Sequence, residues 1–195
     1  MALGRPRAFD VEEALGKALV VFRRKGYEGS SIADLTEAMG INPPSLYAAF
    51  GSKEELFRKA LDRYIGIRKD FSHEALEAPT AREVVERLLR GTADQLTEPQ
   101  NPPGCLLVQG ALSCGDAAEP IKKELCFRRV AEEVALRHRL ERALESGDLP
   151  KNTDVAGLAR YVATVSQGMA VQAAGTATRA DLHAVVDAVI QGWPK

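Results

Sequence analysis

Paired cysteines are missing from this 195-residue chain: Cys105, Cys114 and Cys126 are three in number and show no CxxC spacing. That argues against a disulfide framework and against a zinc site. His73, His138 and His183 are scattered, so no metal constellation and no cofactor is expected. No apolar run approaches the roughly 20 residues that a membrane-spanning helix needs. The opening MALGRPRAFD has two arginines but no apolar segment behind them of the secretory kind, which points to a cytoplasmic protein with no membrane association. There is no G-x-S-x-G elbow, no G-x-x-x-x-G-K-[ST] phosphate loop and no H-E-x-x-H pair, and the acidic residues are spread over helix faces. A non-enzyme is the reading. Internal repeats and low-complexity tracts are lacking too.

What is present is ordinary for a globular chain, with 45% hydrophobic and 27% charged residues. A chain of this length buries roughly 70% of its unfolded surface, enough for a core without staples. The net charge of −1 conceals a tilt: through Lys69 there are 12 Lys and Arg against 9 Asp and Glu, and beyond it 14 against 18. The basic end has the sign expected of a part that meets phosphate. Apolar residues recur at three and four, and almost nothing alternates as a strand does. The fold class is therefore all-α. A first helix runs from an Asp10 cap to about Lys25, with Gly26 ending it. A long one starts at the Ser52 cap and reaches about Phe71. Later helices are expected at about 80–97, 103–113, 119–146, 154–174 and 180–192, with Pro103 and Pro120 in first-turn positions.

The segment SSIADLTEAMGINPPSLYAAFGSKEELF, from Ser30 to Phe57, breaks this pattern with two very short helices hinged on a glycine. Ser31 caps the first, with Asp34 in a capping-box place, and Gly40 supplies the turn. Asn42 followed by Pro43 starts the second. Two helices of about two turns each are unstable alone. They must pack on the first helix, which leaves Pro44, Ser45, Tyr47 and Ala48 on an outer face for a partner. That is a helix-turn-helix arrangement, whose second helix enters the DNA major groove.

The run LTEAMGINPPSLYAAFGSKEEL beginning at Leu35, together with FRRKGY beginning at Phe22, resembles the DNA-binding segment of the TetR family of bacterial transcription regulators. The resemblance covers about Phe9 to Phe57. It implies that Pro44, Ser45 and Tyr47 face the groove and that Lys53 holds phosphate at the start of the fourth helix, with Ser31 and Pro43 part of the same DNA-binding surface. A partly buried core tyrosine is the alternative for Tyr47, and a solvated lysine for Lys53. Arg5 and Arg7 form either a minor-groove arm or a basic tail. Two departures stand out: Thr36 takes a place usually held by alanine, and Ala49 one where a phosphate-contacting histidine is common.

The resemblance further implies a DNA-binding domain over 1–53, and over 54–195 a helical domain for ligand binding and dimerisation. Its small-molecule site is expected to involve Tyr64, Phe71, Cys105, Gln109 and His138. Three of these have a plainer reading beside them: Cys105 as a buried structural cysteine, Gln109 as an amide satisfied by backbone, His138 as an interfacial histidine. The last two helices resemble the family's dimerising pair, and Leu158, Val162, Leu182, Val186 and Val189 are the expected homodimer contacts; packing inside one monomer is the alternative. The function implied is a dimeric transcription repressor, bound to a near-palindromic double-stranded operator and released by a small-molecule effector. The alternatives are a thiol-based redox-sensing regulator or switch using Cys105, and a ligand-binding helical dimer without operator binding, which Thr36 and Ala49 favour.

Overall fold

The computed structural model describes residues 9–194, and among these every regular element is a helix. Nine α-helices follow one another: α1 Val11–Lys25, α2 Ile32–Met39, α3 Pro43–Phe50, α4 Lys53–Leu76, α5 Ala81–Leu96, α6 Leu106–Leu112, α7 Glu119–Glu145, α8 Val155–Ala174 and α9 Arg179–Gln191. A 3₁₀ turn, Asp116–Ala118, leads into α7.

The first four helices start where their caps dictate. The Asp10 carboxylate accepts from the Glu12 and Glu13 amides at 2.8 and 3.0 Å. Ser31 with Asp34, and Ser52 with Glu55, form reciprocal capping boxes. Gly40 takes φ 70° and ψ 32°, a left-handed turn that directs the chain from α2 into α3. Leu15, Leu19 and Phe22 of α1 pack with Leu35, Met39, Leu46, Phe50, Leu56 and Phe57 in a buried cluster. The Phe22 and Phe57 rings meet edge to face at 5.0 Å, which fixes α4 on α1. Thr36 is buried, and its hydroxyl donates to the Ile32 and Ala33 carbonyls of its own helix, so the extra polar atom is satisfied.

α4 continues more than a turn beyond the expected stop near Phe71, because no breaker appears before Pro79 and the Ser72 hydroxyl turns back onto the Arg68 and Lys69 carbonyls. It runs unbroken from the 53/54 boundary expected from the sequence and reaches α5 and α7. α6 is shorter than expected. Gly104 has φ 90° and Cys105 is extended, so the helix starts only at Leu106 and Pro103 lies in the preceding loop rather than in its first turn. α5 packs on α4, α8 and α9, while α7 packs on α6 and α8.

Candidate nucleic-acid interface and internal cavity

The α2–α3 unit is oriented by buried side chains on its inner face, and its outer face is open. Leu46 and Phe50 point inward at 0% and 1% exposure; Tyr47, between them in sequence, is 50% exposed. The Asn42 side chain accepts the Ser45 amide at 2.8 Å and starts α3, so Pro43 and Pro44 are exposed on its first turn and Ser45 is half-buried beside them. Ser31 is exposed at the start of α2. Ala49 is half-buried, packed against the core.

Lys53 opens α4 with its Nζ 4.5 Å from the centre of the Tyr27 ring. Desolvation lowers its pKa, opposed by Glu28 and Asp34. The ammonium is thus held in place by an aromatic face at a helix N-terminus. Asp34 is held well below the usual carboxylate range, first by the hydrogen bond from Lys25 at 2.6 Å and then by Ser31. Arg5 and Arg7 lie outside the described residues.

Behind this unit, α4 to α8 line a partly open cavity of about 170 Å³. Phe71, Leu88, Leu89, Leu107, Leu136 and Val162 give it apolar walls; Arg68, Arg129, Glu132, Glu133, Ser166 and Gln167 are its polar lining. Cys105 borders it, with its Sγ accepting from Tyr64 Oη at 3.4 Å and from Arg68 Nη1 at 3.1 Å. Phe71 is in the wall, but Tyr64 stands behind Cys105 rather than in the lining. Burial, followed by the neighbouring Cys105, raises the Tyr64 phenol, which stays a neutral donor.

Two expected ligand residues are elsewhere. His138 is exposed on α7, where the helix turns its Leu136 and Leu140 inward instead. Gln109 lies in a separate groove with Arg23, Arg24 and Pro103, its amide folded over Gly104. The residues that sequence reasoning passed over are Arg68 and Arg23. Arg68 shares the Tyr64–Phe71 side of α4, and its spacing of four and three from these aromatics was the available signal.

Four of the five expected dimer contacts are buried within this chain and need correction. Leu182, Val186 and Val189 are buried inside this chain at 1%, 0% and 5% exposure, because α9 lays its apolar stripe on α5. Val162 faces the cavity, and Leu158 is half-buried. The outward face carries different side chains: Tyr161 and Val171 on α8 and Val185 on α9, with Phe127, Val130 and Val134 on α7 beside them, all at least 40% exposed.

The comparisons agree with this architecture. A family model described as bacterial regulatory proteins, tetR family, matches residues 14–60. The chain is 33% identical over 195 residues to the HTH-type transcriptional repressor ComR of Escherichia coli, covering 98% of this chain and 92% of that protein. With the repressor BdcR of Escherichia coli it shares 38% identity over 120 residues, 60% of each chain. A cysteine mutant of the TetR family transcriptional regulator CifR, solved with 26-bp double-strand operator DNA, superposes with a TM-score of 0.94 at 46% identity, covering 98% of this chain and all of that one.

Proposed function

The chain belongs to the TetR family of bacterial regulatory proteins, and on that premise we propose that it is a dimeric transcription repressor released from a near-palindromic operator by a small-molecule effector. The supporting observation is the outer face of α3, where Tyr47 is half exposed between buried Leu46 and Phe50. A helix anchored from behind and open in front is what major-groove reading requires. In this reading Pro44, Ser45 and Tyr47 meet base edges and backbone, with Ser31, Pro43 and Lys53 at the rim, and residues 1–53 form the DNA-binding unit. Residues 54–195 supply the effector cavity and the dimer face. The protein works in the cytoplasm as a regulator, not as an enzyme.

The dimer forms through α8 and α9, with Tyr161, Val171 and Val185 against a second copy. Exposed apolar side chains concentrated on neighbouring helices mark an association surface. Gly168, exposed on α8 with nothing near its Cβ position, lets the partner helix come close. Selection of bound DNA from a random pool tests the whole reading. It should return an inverted repeat whose half-site centres lie about 34–36 Å apart, or a multiple of that; a pool with no enriched motif would contradict it.

A second reading is supported by one observation, the convergence of Tyr64 and Arg68 on the Cys105 sulfur at the cavity edge. There, oxidation of the thiol is what releases DNA. Operator release by peroxide in the wild type but not in Cys105→Ser would favour it over a reversible effector.

A further inference from the structure

Arg68 enters the cavity from α4 with its side chain only 11% exposed. A guanidinium has five N–H donors in a planar fork. Among the described residues its Nε is buried with no hydrogen-bond partner. Nη1 reaches only the sulfur of Cys105, a weak acceptor, at 3.1 Å. The nearest carboxylate, Glu132, is half exposed and 3.7 Å from Nη2, too far for a good hydrogen bond. The rest of the wall does not supply the missing acceptor. Arg129 gives its Nη2 to the Cys126 sulfur at 3.2 Å, and Glu133 is taken by Arg160 at 2.7 Å. A buried cation with so incomplete a set of partners is costly, and Arg68 is among the residues that line the cavity.

We propose that the cavity binds a small monocarboxylic acid, whose carboxylate is held by Arg68 and whose apolar body lies against Phe71, Leu88, Leu89 and Leu136. This rests on the cavity being the effector site. The fork of Nε and a terminal N–H matches the two oxygens of a carboxylate in one plane. The charges lining the cavity balance, Arg68 and Arg129 against Glu132 and Glu133, so one added negative charge is favoured over the two of a phosphate. The volume limits the body: a cavity of about 150 Å³ takes benzene, so this one of about 170 Å³ suits a benzoate or a short-chain acid.

Binding there has a route outward. A carboxylate on the unpartnered side of Arg68 draws on the same guanidinium whose Nη1 holds the Cys105 sulfur, and Cys105 sits at the N-cap position of α6, at the end of the loop that Arg23 of α1 holds through the Pro102 and Gly104 carbonyls. The acid therefore acts on the support of the DNA-binding helices.

The test titrates wild type, Arg68→Lys and Arg68→Met with benzoate and hexanoate and with the matching amides, by calorimetry and thermal shift. Wild type should prefer each acid over its amide by about tenfold or more. Arg68→Lys should keep part of that preference, and Arg68→Met should lose it. Amides that bind wild type as well as the acids overturn the proposal without reference to any variant, and so does failure of both acids to bind at millimolar concentration. Operator titration separates the two levels. Acids that bind through Arg68 but leave operator affinity unchanged support the site and remove the effector role; a neutral compound that releases DNA where acids do not bind overturns the acid and keeps the effector role.

Discussion

Arg23 of α1 donates from Nη2 to the carbonyl of Pro102 at 2.5 Å, and its guanidinium stacks 5.4 Å from the Tyr64 ring. Arg68 lies 5.6 Å from the same ring. The phenol of α4 thus connects a guanidinium on the first helix of the helix-turn-helix unit with one that lines the cavity. Tyr64 and the 102–105 loop are thus contacted from both sides, and they are where coupling between the proposed effector site and α1 would run.

Replacing Arg23 tests the connection. Arg23→Met removes charged hydrogen bonds to two carbonyls, and the expected loss of stability is about 1–3 kcal/mol by chemical denaturation. Operator affinity without effector should change little, while the factor by which an effector weakens it should shrink. Because coupling is reciprocal, effector affinity should then become nearly independent of bound DNA.

Gly91 makes room for Phe71. A Cβ at Gly91 would come within 2.7 Å of the Phe71 ring, with the helix α5 backbone behind it. Gly91→Ala should therefore push the ring into the cavity, costing about 1–3 kcal/mol of stability and at least as large a factor in ligand affinity. Thermal denaturation and ligand titration read the two effects separately.

Assembly separates buried from exposed apolar positions on α8 and α9. Val171→Glu and Val185→Glu should give folded monomers with weakened operator binding, seen by sedimentation and circular dichroism. Leu182→Glu buries an unpaired charge inside one chain and should unfold it, at a cost of about 3–5 kcal/mol. A folded monomer from Leu182→Glu would place the dimer face where the sequence suggested it.

Asp34 sets the acid limit of the α2 cap. Its pKa is depressed in the fold by Lys25 and then by Ser31, so the unfolded chain binds its proton first as pH falls. Its contribution is complete above the ordinary carboxylate value of 3.8, and fades as pH drops through and below it. Asp34→Asn should flatten the acid side of the stability-versus-pH curve relative to wild type, with the difference vanishing at the acid end.

The helices were legible in the sequence because their signals are local. Asp10, Ser31, Asn42 and Ser52 cap as their types and spacing require, and Gly40 turns as only a residue tolerant of φ 70° does. The face of α3 was legible too, since Leu46 and Phe50 at a spacing of four leave Tyr47 outside. What failed was tertiary. Leu182, Val186 and Val189 form an apolar stripe whichever helix covers it, and periodicity does not tell α5 of the same chain from α9 of another. His138 and Gln109 are polar residues among apolar ones along the chain, but the rotation of α7 and the extended Cys105 that delays α6 carry them away from the cavity. Arg68 was passed over because its burial depends on α6 and α7, which lie far along the chain.

The most direct measurement is titration of the DNA upstream of this chain's own gene with wild type and Tyr47→Ala over a range of salt concentrations, followed by fluorescence anisotropy. If Lys53 and the basic residues Arg5 and Arg7 of a dimer neutralise about six phosphates, the log–log salt slope is roughly −5. Wild type should bind saturably with that slope, and Tyr47→Ala should bind about tenfold or more weakly, a loss on the order of 1–3 kcal/mol. Binding that ignores salt, or a Tyr47→Ala protein that binds as wild type does, would contradict the account.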